Sequence, residues 1–199
     1  MPPLDPSNSV TARAPDPAPT GEGPAADDVA AAGRPGITVT TRLPFAASGE
    51  QAWQTIMFYE QLETRPPLHL RMLLPVPIRT EGRKSEVGDE ALCLYEGGHL
   101  VKRVTEVDRG RHFGFEVVSQ ELAVGGGMRL SGGHYTLREL PDGRTEVELA
   151  TRYTSPKWPR WFWKPVEASV CHMFHRHILR AMRRDAEARR AAVDGARSA

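Results

Sequence analysis

The side chains able to do chemistry gather toward the C-terminus: Glu167, Cys171, His175 and His177 lie close together, with Tyr135 and Tyr153 upstream. Projected as a helix at 100° per residue, Trp163, Val166, Val170, Phe174, Ile178 and Ala181 form one apolar stripe. Arg176, Arg180 and Arg183 fall on the far side. His177 projects onto the stripe, which leaves two readings open. It is a core histidine hydrogen-bonded to backbone or a neighbour, or it lines a cavity as a ligand contact or acid/base group. Glu167 falls near the stripe one turn after Trp163. It is either a carboxyl with a raised pKa or a negative charge placed where a helix N-terminus favours one. The two are ten residues apart, about 15 Å along a helix. To act on one bond, either would need a partner such as Tyr135 or Tyr153 from another element.

Glu167, Cys171 and His175 are spaced four apart and share a ridge. Carboxylate, thiol and imidazole could ligate a metal. No further ligand stands at a diagnostic spacing, with His99 and His134 as unplaced alternatives, so no metal or cofactor is expected. Cys171 with His175 as base would make a nucleophile pair, although nucleophile and base usually come from different elements. A small buried thiol is the simpler reading. Gly125-Gly126-Gly127 and Ser131-Gly132-Gly133 match no phosphate-binding loop. They read as a loop and as a bend within a strand, and the second also suits a point where ligand approaches backbone. The run from Lys157 to Lys164 holds Trp158, Trp161 and Trp163 among basic residues. These tryptophans either plug the end of a cavity or touch a membrane transiently. The formal net charge of +1 argues against nucleic acid.

These side chains need elements to hold them. In 199 residues, 40% hydrophobic and 26% charged, the composition is that of an ordinary globular protein of one domain with some excess length. No long apolar run suggests a membrane span. No basic, then apolar start suggests a secretory signal. With only Cys93 and Cys171, the expectation is a reduced, cytoplasmic protein. Residues 1–35, rich in Pro and Ala, read as a disordered tail.

Order begins with the alternating strand Ile37–Phe45. Ser48-Gly49-Glu50-Gln51 is a capping box opening a helix that buries Ala52, Trp53, Ile56 and Met57. From Arg65 to Lys84 proline density argues against one helix, and apolar content against a solvated loop; a short segment packed over the domain is expected. Five strands follow: Val87–Tyr95, His99–Asp108, Arg111–Gln120, Met128–Leu140 and Arg144–Ser155. They are joined at Gly97-Gly98, Arg109-Gly110, the triple glycine and Pro141-Asp142-Gly143. Consecutive hairpins make an antiparallel sheet. In the last strand Val147, Leu149, Thr151 and Tyr153 face one way and Glu146, Glu148 and Arg152 the other, so one face is covered. The covering element is a helix from about Arg160 to Arg190, with residues 191–199 a frayed end.

This order resembles the helix-grip fold of the START/Bet v 1-like superfamily, also called polyketide cyclase/dehydrase and lipid-transport (SRPBCC) proteins. Three stretches carry it: Ile37–Met57; the strand end Val104–Asp108 leading into Phe113-Gly114-Phe115-Glu116-Val117; and the closing strand with the terminal helix. Six strands are read where seven are usual, and the seventh lies near Pro77–Glu86 or is absent. The resemblance implies an α+β fold in which a curved antiparallel sheet wraps a long C-terminal helix around an internal cavity. It covers residues 36–190. It also implies binding of a small hydrophobic or amphipathic molecule, a lipid, polyketide or quinone, by a carrier or sensor. The alternative is a cyclase or dehydratase. The residues expected to line the cavity are Trp53, Phe113, Phe115, Tyr135, Tyr153, Glu167, Val170, Phe174 and His177.

Overall fold

The computed structural model describes residues 36–57, 77–124 and 126–198. The expected tail and most of the proline-rich segment fall outside the described residues. The capped helix is as read. The Ser48 amide donates to Gln51 Oε1 at 3.0 Å and the Gln51 amide to Ser48 Oγ at 3.4 Å, opening α1 over Gly49–Met57.

Seven strands form one antiparallel sheet: β1 Ile37–Phe45, β2 Pro77–Gly82, β3 Glu90–Tyr95, β4 Gly98–Asp108, β5 His112–Glu121, β6 Arg129–Glu139 and β7 Thr145–Thr154. Their order is β1-β7-β6-β5-β4-β3-β2, so the first strand closes one edge beside the last. The seventh strand is therefore present. β2 lies at the far edge and pairs only with β3, where a proline at its first position leaves no ladder bond unmet. Register shifts at Val101/Lys102, Val104/Glu106 and Leu130/Gly132 bend the sheet. At the last of these, Gly132 has φ +145, and a Cβ there would stand 2.4 Å from the Phe115 carbonyl oxygen. Gly133 is similarly crowded by Ala150 and the Phe115 ring. Strand contact, not ligand approach, explains this glycine pair.

The last element, α2, spans Arg160–Ser198. It outlasts the expected end near Arg190 because Ala191, Ala192 and Ala196 are good helix formers and Arg190 pairs with Asp194 one turn on. It packs chiefly on β1, β7 and α1, toward one side of the curved sheet.

The face α2 turns inward differs from the apolar stripe. Buried on it are Glu167, His175, Ile178, Leu179, Ala181, Met182 and Ala186, while Val166 is exposed. Val170, Phe174 and His177 are half-buried. The buried ridge is displaced by one residue, about 100° of rotation. Polar side chains occupy it because each finds a hydrogen-bonding partner on the sheet or on the approach to the helix. Phe174 still touches the main core, whose buried members include Phe45, Trp53, Ile56, Phe113, Tyr135, Val147, Leu149 and Leu179.

This rotation can be measured. Leu179 is fully buried, so Leu179→Ala should cost about 2–5 kcal/mol in urea unfolding. Phe174→Ala, on the half-open flank, should cost clearly less despite removing the larger side chain. The reverse order would restore the apolar stripe as the buried face.

Candidate functional site

Because α2 sits over β1 and β7, the inner face of β3–β6 is left to other side chains. A cavity of about 30 Å³ lies there, lined by Ile56 of α1, Lys84, Ala91 of β3, Lys102 and Val104 of β4, Phe113 and Phe115 of β5, and Tyr135 of β6. That volume holds roughly two water molecules. Ile56 and Lys84 flank the segment 58–76, which lies outside the described residues.

The lining is mostly apolar and aromatic, with two lysines and one tyrosine among it. Phe113 and Phe115 have ring centroids 6.5 Å apart. Trp53 meets Phe113 edge-on at 6.4 Å. Lys102 Nζ sits 5.1 Å from the Phe115 ring centre, where the ring quadrupole attracts it. Lys84 Nζ donates to the Ile56 carbonyl at 3.2 Å, capping the end of α1 with positive charge.

Four expected residues thus come together: Phe113, Phe115 and Tyr135 on the lining, and Trp53 behind Phe113. Phe174 borders the same core while half-buried. His177 and Val170 are half-buried on that flank of α2 and are not part of the lining described. Tyr153 and Glu167 lie elsewhere.

Sequence reasoning missed Lys84, Lys102, Ala91, Val104 and Ile56 as lining residues. A signal for Lys102 existed. Leu100 and Val104 are buried on β4, and strand alternation puts residue 102 on their face. Nothing comparable marks Lys84, which follows β2.

A second polar centre joins β1, β7 and the first half of α2. Glu167, 3% exposed, accepts from Ser155 Oγ at 2.5 Å and from Arg160 Nη2 at 2.9 Å. Burial pushes its pKa up, but the hydrogen bonds from Arg160 and Ser155 and the charges of Arg160 and Lys157 outweigh that and hold it below the ordinary 4.5. The raised pKa needed for a proton donor is therefore absent. The carboxylate is an anchor that ties the loop after β7 to the helix.

His175, 1% exposed, is the buried histidine in place of His177. Its Nδ1 is 3.1 Å from Thr41 Oγ1 on β1, and its Nε2 is 2.8 Å from Thr151 Oγ1 on β7. Thr41 Oγ1 is also 2.8 Å from His172 Nδ1. Burial and the neighbouring His172 lower the His175 pKa to about 4, so the ring is neutral near pH 7. Cys171 Sγ stands 3.4 Å from His175 Nε2, the separation a nucleophile–base pair would need. Burial raises the thiol to about 11, so it stays protonated and weakly nucleophilic. Tyr153, fully buried, is pushed up to about 12, first by burial and then by Glu167 and Cys171. Among the described residues no group of three His, Cys, Asp or Glu side chains converges as metal ligands do.

At the start of α2, Trp158 and Trp161 are 82% and 80% exposed, and Phe162 is 48% exposed. Trp163 differs: Lys157 Nζ covers its ring at 4.6 Å and Phe162 packs on it edge-on. The exposed set is therefore Trp158, Trp161 and Phe162. None of the tryptophans of this segment plugs the cavity described above. No described helix is long and apolar enough to cross a membrane.

No protein-family model matches the sequence, and neither does any curated protein. Solved structures do match. The Zhui aromatase/cyclase of a Streptomyces strain is 16% identical with a TM-score of 0.56, over 78% of this chain and 96% of that one. A Mesorhizobium loti protein is 15% identical at 0.52, over 76% and 97%. A Bacillus thuringiensis protein is 15% identical at 0.51, over 74% and 97%. The likeness is one of fold: an α+β helix-grip architecture, with a curved antiparallel sheet in the order β1-β7-β6-β5-β4-β3-β2 and a long terminal helix.

The buried imidazole gives this centre a pH signature. Unfolded, His175 binds its proton near the ordinary 6.5; folded, only near 4. Between those values the unfolded chain holds more protons, so stability present above pH 6.5 falls as pH drops toward 4, by about 3 kcal/mol in all. Glu167, with its lowered pKa, adds a further loss at more acid pH. Urea unfolding across this range should show the slope, and His175→Gln should flatten it between pH 6.5 and 4. An unchanged slope in the variant would place the titrating group elsewhere.

Proposed function

We propose that this protein binds a small hydrophobic or amphipathic molecule, lipid-, polyketide- or quinone-like, as a carrier or sensor, in the cavity on the inner face of β3–β6 beside α1 rather than in the expected place between sheet and terminal helix. The observation that carries the reading is the lining itself: Ile56, Val104, Phe113 and Phe115 make an apolar wall beside Lys84, Lys102 and Tyr135. Pockets for such molecules are mostly apolar with a few placed polar groups. The described space is far smaller than an organic ligand, so binding requires half-buried side chains such as Phe115 and Phe174 to turn aside. In this reading the protein works in the reduced cytoplasm, where Cys93 and Cys171 remain thiols.

Carriage is favoured over catalysis because Glu167 and His175, the carboxylate and imidazole buried beneath α2, are held in structural contacts away from the cavity. Glu167 is fixed by Ser155 and Arg160, and His175 by two threonines. One observation favours the second reading, a cyclase or dehydratase acting on a polyketide-like substrate: Tyr135 and Lys102, two residues with ionisable side chains, share the lining. The aromatase/cyclase name attached to one structural neighbour points the same way.

Titration with an anilinonaphthalene sulfonate dye should give saturable, roughly one-to-one fluorescence enhancement. Ala91→Leu, which adds side-chain volume on the lining, should weaken it about tenfold or more, equivalent to at least ~1.4 kcal/mol, while the circular dichroism spectrum stays native. Dye binding that ignores this change would remove the cavity from the function. Incubation of any co-purifying small molecule with the protein should return it unaltered by mass spectrometry. A product lost in Tyr135→Phe would select the enzyme instead.

A further inference from the structure

The chain has a formal net charge of +1, but the charge is unevenly placed. From Ser155 to Arg184 there are Lys157, Arg160, Lys164, Arg176, Arg180, Arg183 and Arg184, and the single carboxylate is Glu167. That carboxylate is buried and bound to Arg160. The surface of this stretch therefore carries cations without exposed anions. The first turn of α2 has no acidic residue, so its positive dipole end is left uncompensated by side chains.

On the same surface stand Trp158, Trp161, Phe162, Val166 and Met173, all exposed large apolar side chains. Phe162, Val166, Met173, Arg176 and Arg180 follow at spacings of four, seven, three and four residues, so one outward face of α2 passes from apolar to cationic. Trp161 and Phe162 pack edge-on at 6.1 Å, and Phe162 on Trp163 at 5.3 Å, forming a continuous aromatic edge. The neighbouring loop from Leu122 to Met128 carries no charge, and its Gly126 and Gly127 lie close to Lys157 and Pro156. Water-exposed tryptophans at a projecting end, flanked by cations and free of surface carboxylates, match the chemistry of a bilayer interface. Indole rings settle among the headgroups there, and Lys and Arg meet lipid phosphates. A contiguous exposed apolar patch of this kind marks an interaction surface. The charge complement selects an anionic lipid surface over a neutral one.

We infer that the start of α2, through Trp158, Trp161 and Phe162 with Arg176 and Arg180, docks the protein onto anionic membranes. This holds whether or not the cavity carries a ligand, because none of these residues lines it.

The test is co-sedimentation of the full chain with vesicles of phosphatidylcholine alone and of phosphatidylcholine mixed with phosphatidylglycerol. Binding is expected only to the second, with a blue shift in tryptophan emission and weakening at high salt. The double variant Trp158→Ala/Trp161→Ala should bind about tenfold or more weakly and lose the shift, with an unchanged circular dichroism spectrum. Arg176→Glu combined with Arg180→Glu should abolish the preference for phosphatidylglycerol while leaving both tryptophans in place. Three results would overturn the inference: no binding to the anionic vesicles; equal binding by wild type and the double variant; or vesicle-free self-association by analytical ultracentrifugation that the double variant abolishes, which would assign the patch to a second copy of this chain.

Discussion

The position of the long helix rests on one neutral imidazole held between two strands. His175 reaches Thr41 on β1 and Thr151 on β7, diagonal neighbours in a ladder where Val39 pairs with Thr151 and Thr41 with Leu149. A ring with partners at both nitrogens accepts little rotation or sliding of its helix. Glu167 repeats the device two turns earlier, through Ser155 and Arg160. Buried polar contacts of this type add little net stability, since desolvation offsets most of their gain. Here they decide which face of α2 turns inward. With the helix so fixed toward β1 and β7, the inner face of β3–β6 is covered by aromatic side chains and α1, and the cavity exists where that cover is incomplete.

Much of the fold is written in short-range signals. The capping box at Ser48, the glycine turns at Gly97-Gly98, Gly110 and Gly143, and the alternation in β7 each depend on a few neighbouring residues, and the structure honours all of them. β2 was harder to place, because Pro75 and Pro77 speak against a strand unless it is known to lie at an edge. The helix face misled for a different reason. Hydrophobic periodicity assumes that apolar side chains seek the interior, but the interior of this helix contains His175, Cys171 and Glu167. Their partners, Thr41, Thr151 and Ser155, are distant in sequence, and nothing local announces them. Lysines on the cavity wall escaped notice for the related reason that lysine is usually solvated.

Two regions divide the polar chemistry. One, around Glu167 and His175, has its protonation states pulled away from neutral-pH exchange: the carboxyl stays ionised, the imidazole neutral and the thiol protonated. Such a centre holds shape and moves no protons. The other includes Lys84, Lys102 and Tyr135 among the apolar residues that line the cavity. Proximity of Cys171 to His175 invites a catalytic reading that their environment denies, since a nucleophile needs a lowered thiol pKa as well as a nearby base.

The far end of α2 has a consequence of its own. From Ala191 to Ala196 every residue is exposed, so about 9 Å of helix at 1.5 Å per residue projects past the body. Its root is fastened where Glu187 accepts from the Ala46 amide and Arg190 donates to the Ala46 carbonyl. A stalk gripped at its base turns with the body. A spin label or fluorophore placed on Val193 would therefore report the tumbling of the whole molecule, whereas one on a slack tether would report only its own motion.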